Sequence, residues 1–134
     1  MSSIQKIINS ARRLLSRRDY STHELRARIE KNYPDVPYDD TILSTLHEEG
    51  FLNDTRFAHS RARHRASQGY GPRRVAYELR EHGISPEDIA SAIDLVDWAE
   101  AWSKRLRKHS PSSPQAIIHL AVRYGFPPNI NSTS

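Results

Sequence analysis

Gly69-Tyr70-Gly71-Pro72-Arg73-Arg74 repeats a pattern met earlier in the same chain. Sliding Tyr20-Ser21-Thr22-His23-Glu24-Leu25 forward by 50 positions lays it over residues 70–75 and brings Leu25 onto Val75 and Ile29 onto Leu79. A shift of 42 positions lays Pro72, Val75, Leu79, Gly83 and Ile84 over Pro114, Ile117, Ala121, Gly125 and Phe126. A unit of this size that recurs with its apolar positions in register predicts stacked helical modules, each covering the apolar face of the next. No segment sustains the alternation of a strand, so the expected fold class is all-α.

Working outward, each segment carries helical spacing and a cap. Ile4, Ile7, Ile8, Ala11 and Leu14 share one face, with Arg12, Arg13, Arg17 and Arg18 on the other side and end of that helix. Ser21-Thr22-His23-Glu24 has the form of a capping box for a helix that buries Leu25 and Ile29 and ends near Asn32. Ile42, Leu43 and Leu46 mark a third helix, stopped at Gly50, after which Phe51 and Leu52 fold back. Asn53 or Asp54 caps the next, which carries Phe57, Ala58, Ala62 and Ala66 and breaks at Gly69 and Gly71. Pro72 opens a helix with Val75, Ala76 and Leu79, closed by Gly83. Ser85-Pro86-Glu87-Asp88 opens one with Ile89, Ala92, Ile93 and Val96. Trp98, Ala101, Trp102 and Arg105 or Leu106 mark another, and Ile117, Ile118, Ala121 and Tyr124 the last, before Pro127 and Pro128. The expectation is an elongated, curved stack of tandem three-helix repeats with at least seven helices. Residues 1–52 and 53–96 form two complete modules and 97–126 a truncated third. Residues 127–134 form a polar tail, with Ser132-Thr133-Ser134 disordered.

Charge follows the same beat. Residues 1–31 hold 8 Lys/Arg against 3 Asp/Glu, and residues 32–55 hold 6 Asp/Glu and no Lys/Arg. The cycle returns as 7 against 2 over 56–82, 5 acids with no base over 83–100, and 5 bases with no acid over 101–134. The net charge of +4 therefore conceals blocks of alternating sign, which suit an elongated polyionic partner or are simply solvated helix faces. With 37% hydrophobic residues and a mean hydropathy of −0.74, the core has to be spread over several small interfaces. There is no cysteine, which removes disulfides, thiolate metal ligands and a thiol nucleophile. The amino terminus lacks an apolar signal core and no run reaches membrane-spanning length, so a cytoplasmic protein is expected.

Reactive groups do not converge. His59 and His64 lie five apart, which separates them around a helix, and the other five histidines are scattered among Arg and Glu. Neither a catalytic residue, nor a metal site, nor a cofactor is expected, and the chain reads as a non-enzyme. The arginines are different. Arg56, Arg61, Arg63, Arg65, Arg73 and Arg74 fall with Arg80 in one helical hairpin, answered only by Glu78 and Glu81. Such a basic stripe binds phosphates or carboxylates, and Arg61, Arg65, Arg73 and Arg74 are expected to face solvent. Tyr70 either stacks on a base at that corner or is a buried corner residue repeating Tyr20. Asp39, Asp40, Glu48, Glu49, Glu87 and Asp88 are candidate contacts to a protein partner, or else cap helices and pair with neighbouring arginines. Trp98 and Trp102, one turn apart, read as core.

Ala11-Arg12-Arg13-Leu14-Leu15, residues 20–25, the continuous Glu49-Gly50-Phe51-Leu52-Asn53-Asp54-Thr55-Arg56-Phe57-Ala58, residues 69–74 and the stretch from Glu78-Leu79 to Gly83-Ile84 together resemble the RecX regulatory proteins. The resemblance covers nearly the whole chain and is strongest between Glu48 and Trp98. It implies a bacterial all-helical protein of tandem three-helix repeats that binds in the groove of the RecA recombinase filament on single-stranded DNA. Inhibition of strand exchange, ATP hydrolysis and co-protease activity is the usual consequence. A monomer is expected, with room for weak direct DNA binding; an autonomous nucleic-acid-binding helical repeat protein is the alternative. Arg61, and less so Ala62, stand where many members carry a bulky apolar residue, so the helix bearing them is expected to pack more loosely.

Overall fold

A computed structural model describes residues 2–130. They form eight helices and, among the described residues, no strand: α1 Ser3–Arg17, α2 Thr22–Asn32, α3 Asp40–Glu48, α4 Asp54–Ser67, α5 Pro72–Glu81, α6 Pro86–Asp94, α7 Trp98–His109 and α8 Pro114–Tyr124. The all-α reading and the minimum of seven helices hold. The expected disorder of Ser132-Thr133-Ser134 falls outside the described residues.

The described residues divide into two compact units, the first running up to Phe57 and including His82–Ile84, the second comprising Ala58–Glu81 and the residues from Ser85 on. In unit 1 the stripe predicted for α1 is buried at Ile7, Ile8, Ala11 and Leu15, and packs with Leu25, Ile29, Ile42, Leu46 and Leu52. Each such aliphatic side chain taken fully out of water contributes about 1.5–3 kcal/mol, so these residues dominate the unit's stability. Ser21 caps α2, its hydroxyl accepting the Glu24 amide at 3.1 Å, and the Glu24 carboxylate returns a bond to the Ser21 backbone. The reciprocal capping box is therefore present. Past α3 the amides of Phe51 and Leu52 both donate to the Leu46 carbonyl, which folds Leu52 into the core as expected.

In unit 2 the alanines of α4 form its buried face: Ala58 and Ala62 are wholly buried and Ala66 nearly so. The first residues of α4 belong to unit 1, where Asn53, not Asp54, caps the helix, accepting the Arg56 amide at 2.9 Å. Ser85 caps α6 and Ser113 caps α8, each followed by a proline whose missing N–H leaves no bond unmade. Ala66, Ala101, Trp102, Leu120, Ala121 and Phe126 form one core cluster, with the Trp102 and Phe126 ring centroids 5.0 Å apart. Trp98 packs at its edge and donates its indole N–H to the Ile93 carbonyl at 2.9 Å.

The internal repeat survives as local structure. Pro72 and Pro114 each open a helix, Gly83 and Gly125 are both left-handed at φ 72° and 88°, and Leu25, Val75, Leu79 and Ala121 are all fully buried. Two readings are corrected. Ile118 is exposed and Leu120 is buried in its place, because Ile117, Leu120, Ala121 and Tyr124 share one face of α8 and Ile118 lies off it. Gly69 does end α4 with φ 84°, but Gly71 is not a second breaker. A Cβ at Gly71 would sit 2.5 Å from the Gly125 carbonyl carbon and oxygen, so a bare backbone is needed there for close approach.

Candidate functional site

The turn joining α4 to α5 docks on the end of α8. The Gly71 amide donates to the Tyr124 carbonyl at 2.7 Å and the Arg73 amide to the Gly125 carbonyl at 2.8 Å. These are terminal carbonyls of the kind a helix leaves without an internal partner, so the Gly-Tyr-Gly-Pro turn serves as a cap in trans. Beneath it lies Arg105, 4% exposed, whose guanidinium donates from Nε to the Gly69 carbonyl and from Nη2 to the Gln68 carbonyl, both at 3.0 Å. The same guanidinium carbon lies 3.5 Å from the centre of the Tyr124 ring.

Tyr70 belongs to this corner and is half-buried, unlike Tyr20, which is buried. Its ring lies 6.0 Å from that of Tyr124 and carries the Arg74 guanidinium at 4.4 Å. The sequence reading missed Arg105 as a polar anchor, although it sits on the Trp98, Ala101, Trp102, Arg105 spacing of the buried face. A charged residue on that spacing was the available signal.

The structure divides the expected basic stripe. Arg61 and Arg65 are half-buried and converge on Glu78: Arg61 Nη1 lies 2.5 Å and Arg65 Nε 2.9 Å from its carboxylate oxygens. Burial pushes the Glu78 carboxyl up, but the hydrogen bonds from Arg65 and Arg61 outweigh it and hold the group below its usual 4.5. The expectation that Arg61 and Arg65 face solvent with Arg73 and Arg74 is thereby corrected, because one carboxylate at the next helix can satisfy two guanidiniums four residues apart. Arg63, Arg73 and Arg74 are exposed. Arg56 falls in unit 1, where its guanidinium binds Asp19 at 2.9 Å and the carbonyls of Gly50 and Phe51.

The acidic candidates are mostly engaged locally. Asp39 caps α3 by accepting the Thr41 amide at 2.8 Å, Asp40 stands in the same first turn, and Glu49 takes a two-pronged bond from Arg12. Glu87 and Asp88 occupy the first turn of α6, where the helix dipole favours them. Glu48 is exposed at the end of α3. The structure thus gives Asp39 and Glu49 the capping and pairing roles that stood as their second reading.

Among the described residues no group of three or more His, Asp or Glu side chains is arranged to hold a metal ion, and no helix is long and apolar enough to cross a membrane. The description "RecX, second three-helix domain" matches residues 53–93, which begin at the Asn53 cap and run through α4 and α5 into α6. The regulatory protein RecX of Halorhodospira halophila is 34% identical over 113 residues, covering 82% of this chain and 70% of that protein. Those of Pseudomonas putida strain GB-1 and Mannheimia succiniciproducens are 33% and 38% identical over 131 and 125 residues, covering 90% and 84% of this chain and 83% and 81% of theirs. Likeness that runs through both units, on a wholly helical chain whose central helices match the family's own three-helix domain, establishes that the chain belongs to the RecX family of regulatory proteins.

Proposed function

We propose that this protein is a non-catalytic modulator of the RecA recombinase. It binds the recombinase filament on single-stranded DNA and inhibits strand exchange, ATP hydrolysis and co-protease activity. The observation that carries this reading is kinship with proteins named as RecX regulators over more than four-fifths of the chain. Its charge distribution supports it, since exposed Arg63, Arg73 and Arg74 on α4 and α5 offer cations to a polyanionic or carboxylate-bearing surface. Arg56, Arg61 and Arg65, already paired, act through the field they leave, and Arg61 and Arg65 also hold the α4–α5 hairpin in shape. Tyr70 supports Arg74. Exposed Glu48 and Glu87 are the acids best suited to meet basic groups of a protein partner. In this reading the chain works as a cytoplasmic monomer of modules 1–52, 53–96 and a partial module 97–126.

Sedimentation with preformed filaments tests it. The protein is expected to pellet with filaments and not with free recombinase, and to remain bound at a salt concentration where its binding to bare DNA has collapsed. Loss of both kinds of binding with the same steep salt slope would instead identify an autonomous nucleic-acid-binding protein.

A further inference from the structure

In unit 1, α1 and α2 leave a cavity of about 240 Å³ that the filament reading does not use. Ile7, Leu14 and Ile29 give it an apolar side, Ser10, Asn32 and Tyr33 a polar one, and Arg13, Arg17 and Arg28, all exposed, complete its lining. No carboxylate lines it. Arg17 and Arg28 have no ion-pair partner among the described residues, and Arg13 donates only to the Ser10 hydroxyl, at 3.1 Å. The same Ser10 oxygen accepts from the Tyr33 hydroxyl at 3.0 Å, which ties the wall of the cavity to the end of α2.

We propose that this cavity seats one unstacked base of a single-stranded nucleic acid, with the flanking backbone phosphates on Arg13, Arg17 and Arg28. The volume is below the roughly 300–1,000 Å³ of ordinary ligand pockets, so it takes one ring and not an extended molecule. Arg13 and Arg17, four residues apart on one helix, stand in a row about 5–6 Å apart at Cβ, which suits a chain of anions better than one isolated anion. A base presents a flat apolar face to the apolar side, and guanidinium planes both stack on bases and grip phosphates bidentately. A paired base in a duplex keeps that face covered. The site deepens the filament reading by placing a strand contact in unit 1, yet it belongs to this chain alone and needs no recombinase.

The test is fluorescence anisotropy of the full-length protein with a labelled short oligothymidylate, with no recombinase present. Arg17→Glu with Arg28→Glu is expected to weaken binding more than tenfold and to lower the salt slope by about 0.7 for each phosphate no longer neutralised. An abasic strand with the same number of phosphates is expected to bind the wild-type protein at least about fivefold more weakly, the low end of what a stacked base contributes. Circular dichroism checks the fold of the double variant, and if it unfolds the abasic comparison decides alone. Equal binding of abasic and oligothymidylate strands, equal binding of duplex, or an unaffected folded double variant would overturn the proposal. Displacement of the strand by polyglutamate at comparable affinity would also overturn it, marking a protein-docking site. Filament sedimentation separates the two ideas: base-dependent strand binding without filament binding sinks the regulator reading and leaves this one standing, and the converse does the opposite.

Discussion

Two clusters of arginines, one in each unit, meet opposite surroundings. In unit 2, Arg61 and Arg65 share Glu78, and Arg105 is buried against two carbonyls and the Tyr124 ring. In unit 1, Arg13, Arg17 and Arg28 line a cavity with no carboxylate in its lining. Each unit thus commits part of its arginines to its own architecture, Arg12, Arg18, Arg26 and Arg56 in unit 1 and Arg61, Arg65 and Arg105 in unit 2, and leaves others available. Counting charges along a chain measures how many guanidiniums exist; the field a partner meets depends on how many are already answered.

The contrast breaks most visibly at Arg105. Arg105→Ala is expected to cost about 3 kcal/mol, because it strands two carbonyls and empties space beneath the turn, whereas Arg28→Ala should stay within about 0.5 kcal/mol. Urea unfolding of both variants checks this, and similar costs would erase the distinction between committed and available arginines. Glu78→Ala is next, at about 2 kcal/mol by the same measurement, since it leaves two half-buried guanidiniums without their shared partner.

Reversing the exposed pair, Arg73→Glu with Arg74→Glu, is expected to weaken filament binding by more than tenfold, about 1.4 kcal/mol. Unchanged sedimentation with an intact helical spectrum would reduce those arginines to a solvated face.

The smallest effect is in acid. The Glu78 carboxyl titrates below its usual 4.5 in the folded protein, so the folded state takes up its proton less readily than the unfolded chain. The stability this contributes is fully present above about pH 4.5 and is lost as pH falls through the depressed folded value. Stability measured from pH 6 downward should show that loss in the wild type and a shallower fall in Glu78→Gln.

Much of the fold was legible in the sequence because local rules are short-range. The Ser21, Ser85 and Pro72 signals, the Leu46-to-Leu52 fold-back and the alanine face of α4 are each settled within a few residues of chain. Ile118 was misplaced because a run of two isoleucines does not say which one faces inward. Site residues were harder. Arg73 and Arg74 are open as expected, but the capture of Arg61 and Arg65 by Glu78 joins residues 13 and 17 positions apart, and no helical spacing contains it.

Sequence by itself determined the class, the caps, the repeat register and the family, since periodicity and motif are properties of a linear string. Tertiary structure alone decided what the charges and glycines do. Gly71 is needed because the Gly125 backbone passes within contact distance, and Arg105 is buried because carbonyls from the α4–α5 turn meet it there. Arg13, Arg17 and Arg28 frame a cavity because two helices from one unit leave it between them. Each of these depends on which distant groups arrive at the same place, and an arginine's free energy is set by that company: water, a carboxylate, a carbonyl or a ring.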